Sequence, residues 1–303
     1  RQMCIRDSQV SASNGSATVS ERFAITISTE PVGAFNLWVT YAGGALPPSN
    51  ARTAVSAALA RWEQIVTGDA GAAVTYPPTG LEPDDCQLVD ASLLNGAFVE
   101  DVAILMALDA IDGAGKTLAR GGPCGYGRTQ LPAVITGQLL LDEVDAATAS
   151  TSFLEDIVWH EMAHVLGVGT LWQDSTVGVG TPEPRYIGDH AETEWLALGG
   201  GSGGVPLEPD IGAHWDEAWF DTEMMTPWAE SPVVSMPVSR VTVGALLDLG
   251  WSASLLAADP YALPPCAGSC TAPAPSEGPW GLAPVPDYVI ERLIPLPRPG
   301  AHR

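Results

Sequence analysis

The sequence is poor in basic residues, and lysine is nearly absent. Lysine and arginine together number 13, against 36 aspartates and glutamates, and Lys116 is the one lysine. The formal net charge at pH 7 is therefore −23. Nucleic acids and anionic membranes would repel such a chain, so we expect neither as a partner. The charge is typical of an acidic, well-solvated surface suited to salty or extracellular surroundings.

Long apolar runs are also missing. No uninterrupted apolar run approaches the roughly 18 to 20 residues that a helix needs to cross a bilayer, so we expect no membrane span. The N-terminus lacks a basic segment followed by an apolar one, and no signal peptide is recognisable there. Residues 1–8 (RQMCIRDS) look like translated sequencing-adaptor read-through. We therefore expect them to be non-native and the true start of the protein to be missing.

Cysteine is sparse. Without Cys4, which falls in the adaptor-like segment, four cysteines remain: Cys86, Cys124, Cys266 and Cys270. Four cysteines allow three pairings, and their positions favour Cys86 with Cys124 and Cys266 with Cys270. The alternative is four reduced, buried cysteines in a cytosolic protein. Since disulfides persist in oxidising compartments, the pairing predicts a secreted or cell-surface protein.

Strand and helix patterns alternate through the first half of the chain. Alternating or continuous apolar runs predict strands at residues 17–28 (one or two strands), 35–41, 102–108 and 134–141. Ser49 or Asn50 can cap a first helix, whose apolar residues recur at helical spacing until Gly68. The glycines between Gly113 and Gly127 lack the spacing of a phosphate-binding loop, so this stretch is interpreted as a connection.

A second helix is predicted in the middle of the chain. Ser152 and Glu155 have the spacing of a capping box, and Gly167 and Gly169 end the helix. A closing helix is predicted within residues 239–250. This order of elements predicts an α+β fold for residues 34–256, with a regular upper part (34–167) and an irregular lower part (168–256). Residues 9–33 are expected to be the truncated end of a β module or a linker, and residues 257–303 a proline-rich tail.

The second helix carries the motif HEMAH, residues 160–164. His160 and His164 are four residues apart, so on a helix they project from nearly the same face, one turn apart. Two imidazoles placed in this way can bind one tetrahedral zinc ion, and Glu161 stands beside the open coordination position. The motif thus supplies two metal ligands and a candidate general base.

The third ligand distinguishes between classes of zinc protein. In the compact metzincin pattern a histidine follows the glycine by three residues, but Thr170 occupies that position here. The chain offers His190, His214 and the terminal His302 instead. The segment HEMAHVLGVGTLW (160–172), followed by His214-Trp215 and EMMT (223–226), resembles the leishmanolysin-like metzincins. In that family an insertion separates the glycine from the third histidine, and a methionine turn follows it.

The resemblance covers residues 35–255 and extends to GGPC (121–124) and to residues 239–250. It implies a twisted mixed sheet and active-site helix above, with a methionine turn and C-terminal helix below. It also implies zinc ligands His160, His164 and His214, with Glu161 as general base and Met225 beneath the site. His190 is the alternative third ligand, and Met224 is the alternative methionine. Three glutamates downstream could also serve as carboxylate ligands: Glu183, Glu192 and Glu194. Nothing in the sequence around them indicates a metal ligand carried on a helix.

The combined prediction is a secreted, monomeric zinc endopeptidase that hydrolyses protein or peptide substrates. The strand around Gly137–Leu141 is expected to receive an extended substrate at the sheet edge. One alternative is a metal-dependent hydrolase of other substrates. Another is an inactive protease-like domain of a surface adhesion or binding protein, which the β module at the N-terminus suggests. Glu161 favours the enzyme, because a structural zinc site needs no carboxylate there.

Overall fold

The computed structural model describes residues 6–13, 18–25, 35–42, 46–68, 70–71, 73–76, 86, 89, 91–126, 134–209 and 211–270. The chain divides into two compact units, Arg1–Ala34 and Phe35–Arg303. In the first unit, β1 (Arg6–Ser13) and β2 (Thr18–Ile25) form an antiparallel pair. β2 lies within the strand region predicted at residues 17–28. β1 begins inside the adaptor-like segment.

A four-stranded mixed sheet forms the frame of the second unit. Its strands are β3 (Leu37–Tyr41), β6 (Val102–Asp109), β7 (Ala119–Tyr126) and β8 (Val134–Asp142), in the spatial order β3-β6-β8-β7. β3, β6 and β8 are parallel, whereas β7 is antiparallel to β8 and lies at the end of the sheet. A short antiparallel pair, β4 (Val74–Thr75) and β5 (Phe98–Val99), precedes β6. The mixed sheet and its helices agree with the predicted α+β class.

β7 corrects two expectations. The glycine-rich stretch predicted as a connection contains this strand, because cross-strand hydrogen bonds to β8 outweigh the low strand propensity of glycine. The register shifts between Pro123 and Gly125, which marks an irregularity in the strand. β8 is then paired on both sides, so residues 137–141 cannot accept a substrate strand. Among the described strands, β7 is the outermost one on this side of the sheet.

Side chains of β6 alternate between two clusters, one on each face of the sheet. Ile104 and Met106 pack in the larger cluster with helices α1 (Ser49–Ile65) and α3 (Thr151–Val165), whereas Ala103 and Leu105 pack in the smaller one. The smaller cluster includes both cysteines of the disulfide between Cys86 and Cys124. The second predicted disulfide joins Cys266 and Cys270. Both predicted pairings are therefore confirmed.

Two predicted helix caps are wrong by a few residues. Pro48 occupies the N-cap of α1, where no side chain caps the helix, and the Asn50 amide donates instead to the carbonyls of Ala146 and Ala149. Those carbonyls belong to α2 (Glu143–Thr148) and to the residue after it. Ser150, not Ser152, caps α3 by accepting a hydrogen bond from the Phe153 N–H. Serine occurs at both positions, so the motif alone did not fix the first turn.

The lower half contains short elements held by aromatic packing. They are β9 (Thr176–Val177), β10 (Arg185–Tyr186), α4 (Asp189–Ala197), β11 (Val205–Pro206), α5 (Glu217–Phe220) and α6 (Arg240–Asp248). The rings of Trp172, Tyr186, Trp215 and Phe220 contact one another in succession, with centroids 4.7–5.7 Å apart. This ring cluster gives a segment with little regular structure a continuous apolar core.

Residues 257–270 belong to the packed body, although their prolines indicate an appended tail. Tyr261 and Leu263 pack against the larger cluster, and the Tyr261 hydroxyl donates to the Phe220 carbonyl at 2.5 Å. Arg61 pairs with Asp259 at 2.6 Å and so ties this segment to α1. None of the described helices is long and apolar enough to span a membrane.

Candidate metal centre

Three buried imidazoles converge between α3 and the loop before α5. Nε2 of His164 lies 2.9 Å from Nε2 of His160 and 3.1 Å from Nε2 of His214. All three rings are fully buried. The structure therefore brings the three predicted ligands together in a group able to hold a metal ion. His214 joins this group although it follows His164 by 50 residues in the sequence.

Each of the three rings directs its other nitrogen, Nδ1, at an oxygen acceptor. The Nδ1 atoms of His160 and His164 face the carbonyls of Met224 and Val168 at 2.6 and 2.8 Å. Nδ1 of His214 faces the Glu208 carboxylate at 3.0 Å. Because an acceptor opposite Nδ1 retains the proton there, these contacts favour the tautomer with a free electron pair on Nε2.

The electrostatics of the site favour the neutral form of the His160 and His164 rings. Burial lowers the pKa of His160 well below its ordinary value, and the neighbouring His164 and His214 lower it further. Burial, followed by the proximity of His214, lowers the pKa of His164 to about 3. Neutral imidazoles with Nδ1 protonated place three Nε2 electron pairs face to face, and a cation between them would relieve this repulsion.

The nitrogen separations suit a small tetrahedral ion. Metal–nitrogen bonds of about 2.0–2.1 Å at tetrahedral angles place nitrogens about 3.3 Å apart, a few tenths of an ångström more than the separations here. The residues present therefore fit a zinc-type site by ligand type, by protonation and by spacing.

The turn after α3 brings the His214 segment to the helix. Gly167 and Gly169 have positive φ angles of 107° and 77°, which side-chain-bearing residues rarely adopt. Gly169 also packs so closely against the Ala213 carbonyl that a Cβ atom would clash with it. Thr170 donates its hydroxyl hydrogen bond to the His164 carbonyl at 2.7 Å. Thr170, which occupies the position of the third histidine in the compact metzincin pattern, thus caps the end of α3.

Glu161 is fully buried on α3, next to His160. It lies under the edge strand: a Cβ atom added at Gly121 of β7 would fall 2.8 Å from the Glu161 carboxylate oxygen Oε2. Glycine at position 121 therefore permits the backbone of β7 to approach the carboxylate. This contact links the sheet edge to the residue predicted to be the general base.

The EMMT segment lies beneath the histidines and is fixed by Glu223. Met224 and Met225 are both fully buried. The Glu223 carboxylate accepts hydrogen bonds from the Met225 N–H (2.6 Å), the Ser239 N–H (2.9 Å) and the Thr242 hydroxyl (2.5 Å). These bonds hold the segment against the start of α6. Since Met224 supplies the carbonyl facing His160, both methionines are placed at the site, and the choice of Met225 stays a prediction.

The alternative ligands lie elsewhere. His190 is exposed, and its Nδ1 lies 2.8 Å from the Asp248 carboxylate. Glu194 pairs with Arg240 at 2.6 Å, Glu192 accepts from the Gly203 and Gly204 N–H groups, and Glu183 is exposed.

A cleft with a volume of about 620 Å³ lies apart from the histidine site, and none of the three histidines lines it. Its lining residues include Arg61, Asp156, Trp159 and Tyr261.

The sequence did not reveal the groups that orient the three rings. Glu208 is buried six residues before His214. Burial raises its pKa, but His214 and the Ala213 N–H outweigh this effect and lower it overall, so the carboxylate stays ionised. No spacing rule marks an acid in a proline-flanked loop, and the Val168 and Met224 acceptors are backbone carbonyls that any residue provides.

Comparison with known proteins adds no assignment. No protein-family model matches the chain, and no curated protein matches it. The chemistry of the site is therefore argued from its own geometry.

Proposed function

We propose that the protein is a secreted zinc endopeptidase of the leishmanolysin-like metzincin class. The observation that carries the proposal is the convergence of three imidazole Nε2 atoms beside a buried glutamate, directly beneath an edge strand. Three imidazole ligands and a small spacing suit zinc better than calcium or magnesium, which prefer oxygen ligands. The two disulfides are compatible with an extracellular location.

Zinc, when bound, supplies a Lewis acid that makes water a nucleophile near neutral pH. Glu161 accepts one proton from the attacking water as the new carbon–oxygen bond forms. It then delivers that proton to the leaving nitrogen as the peptide C–N bond breaks. Its burial at the sheet edge excludes bulk water from the carboxylate. The Nδ1 atoms of the three histidines contact the carbonyls of Met224 and Val168 and the carboxylate of Glu208. These contacts keep the three rings oriented through the reaction.

β7 is the element proposed to hold the substrate. An extended peptide can add to the outer side of this edge strand through backbone hydrogen bonds. Gly121 sets the approach of the strand to Glu161, so a peptide paired with β7 would pass close to the general base. This arrangement favours peptides over compact small-molecule substrates.

Substitution of Glu161 tests the proposal. Glu161→Gln should keep stoichiometric zinc but lose casein hydrolysis by roughly a factor of 10³ or more, because the amide cannot accept the proton. Glu183→Gln is the matched control, since it makes the same chemical change at an exposed position. Retained turnover in Glu161→Gln would remove this residue as the base, and activity that survives a zinc chelator would point to another mechanism.

A paired histidine experiment tests the ligand set. His214→Ala should lose zinc, whereas His190→Ala, at the exposed alternative position, should retain it; metal content is measured by elemental analysis. A chain that binds zinc through these residues but cleaves no protein substrate would instead support the inactive binding domain of a surface protein.

A further inference from the structure

A second cluster of potential ligands lies outside the histidine site. The carboxylates of Glu217, Asp221 and Glu230 each offer an oxygen atom, and these atoms all lie within 4.8 Å of one another. Glu217 begins α5, Asp221 directly follows this helix, and Glu230 belongs to the loop after the EMMT segment. Three like charges at this separation repel each other strongly unless something neutralises them.

Glu217 distinguishes this cluster from an ordinary acidic surface. Its side chain is only 8% exposed, and neither carboxylate oxygen has a hydrogen-bond partner among the described residues. The Thr226 hydroxyl is close enough to lower the Glu217 pKa, but its hydrogen bond goes to the Trp228 carbonyl at 3.4 Å. Because a buried carboxylate without a donor is costly to ionise, a cation beside Glu217 would stabilise its charged form.

Three other buried glutamates have partners among the described residues. Glu194 pairs with Arg240, Glu208 with His214, and Glu223 accepts three hydrogen bonds. Burial, with further contributions from Glu230 and Asp221, raises the pKa of Glu217 to about 8. No arginine or lysine is among the groups that shift this pKa. Among the described residues, no cationic side chain therefore balances the charge of Glu217.

We propose that Glu217, Asp221 and Glu230 bind a calcium ion. Calcium takes oxygen ligands at about 2.3–2.6 Å, so two ligands of one ion are at most about 5 Å apart, and the oxygens here satisfy that limit. Asp221 and Glu230 are half-buried, which leaves room for water to complete a coordination number of about six to eight. The sulfur atoms of Cys266 and Cys270, which lie within 4.8 Å of an Asp221 carboxylate oxygen, are joined in a disulfide and cannot act as thiolate ligands. The cluster therefore offers oxygen ligands, which suit calcium better than zinc.

The position of the cluster gives the ion a structural role. α5 lies between His214 and the EMMT segment, and Glu230 follows that segment. An ion shared by the helix and the loop would cross-link the two ends of the stretch that carries both methionines, and this stretch begins three residues after His214. The Ala218 carbonyl of α5 also accepts from the Gly268 and Cys270 N–H groups, so the calcium site and the Cys266–Cys270 disulfide would brace the same short helix.

Thermal unfolding with added calcium tests the inference on the full, zinc-loaded chain in calcium-free buffer. About 10 mM CaCl₂ should raise the Tm of the wild-type protein by roughly 3 °C or more. Glu217→Gln and Glu230→Gln should lose this shift, whereas the control Glu183→Gln should keep it. Because no substrate is involved, the result does not depend on the proposed peptidase activity.

A terbium titration of the unmodified protein provides a test that needs no variant. Tb³⁺ should bind once per chain, be sensitised by the tryptophans of this region (Trp219 and Trp228), and be displaced by calcium. If the wild type shows neither the Tm shift nor stoichiometric Tb³⁺ binding, the proposed calcium site is wrong. The carboxylates of the cluster would then be held together by a shared proton. A calcium shift that persists in both glutamine variants would place the ion elsewhere.

Discussion

At the residue scale, the metal centre depends on where each imidazole keeps its proton. The HEMAH motif identified two of the ligands and the glutamate, because helix geometry fixes residues four apart on one face. It could not identify the acceptors opposite Nδ1, since two are backbone carbonyls and the third, Glu208, comes from an irregular loop. Ligand residues are therefore predictable here, whereas the groups that orient them are not.

Glu208→Gln tests the importance of this orientation. The amide has the same size but loses the negative charge that holds the Nδ1 proton of His214, so zinc affinity should fall about 10- to 100-fold. Competition with a chromophoric chelator of known affinity measures the change. Glu183→Gln serves as the control, and an affinity within about twofold of wild type would show that Glu208 does not orient the ring.

Gly121 is the residue at which the edge strand approaches Glu161, the proposed general base. Gly121→Ala would place a Cβ atom 2.6 Å from the Glu161 carbonyl and 2.8 Å from Oε2, so β7 or α3 must shift. We expect a loss of about 1–3 kcal/mol in the free energy of unfolding and a clear loss of hydrolysis.

Gly201→Ala is the matched control for this substitution. A Cβ atom at Gly201 has no neighbour within 4 Å, so urea unfolding should give nearly the wild-type stability. Equal stabilities for the two alanine variants would contradict the close approach of β7 to α3.

At the scale of elements, buried apolar runs were more informative than turn chemistry. The runs at 102–108 and 134–141 predicted two central strands, because a strand covered on both faces needs apolar side chains throughout. The sequence did not predict β7, since half of its eight residues are glycine or proline, which are depleted in strands: Gly121, Gly122, Pro123 and Gly125. Only pairing with β8, a long-range interaction, makes this segment a strand, and the same pairing determines which strand is the edge.

The two disulfides should differ in their contribution to stability. Cys86 and Cys124 are 38 residues apart, whereas Cys266 and Cys270 are 4 apart. Since the longer loop restricts the unfolded chain more, replacing the first pair by serine should cost about 4 kcal/mol and the second about 2 kcal/mol. Urea unfolding of the two double variants checks the order. A larger cost for Cys266–Cys270 would mean that the native packing of α5, not chain entropy, dominates.

At the scale of the whole molecule, the net charge of −23 opposes compaction. Salt screens the repulsion among surface carboxylates, with a Debye length that falls from about 30 Å at 0.01 M to about 3 Å at 1 M. In calcium-free urea unfolding at pH 7, raising NaCl from about 0.02 to 0.5 M should therefore stabilise the fold by an amount on the order of 1 kcal/mol.

The same measurement near pH 4 is the control, because many carboxylates are then protonated and the salt effect should shrink. Destabilisation by salt at pH 7 would indicate that specific ion pairs, such as Arg61–Asp259 and Arg240–Glu194, outweigh the general repulsion.

The position of β7 at the end of the sheet has a consequence for self-association. An unpaired strand edge that accepts a peptide will also accept the edge of another copy, which is the usual route to β-sheet aggregation. β7 limits this hazard through Pro123, which has no N–H to donate, and through the irregular register from Pro123 onward. The ladder between β7 and β8 keeps a regular register only over Ala119–Pro123. Under the proposed function, that length would be sufficient to align a peptide beside Glu161, but it is too short to seed an extended intermolecular sheet.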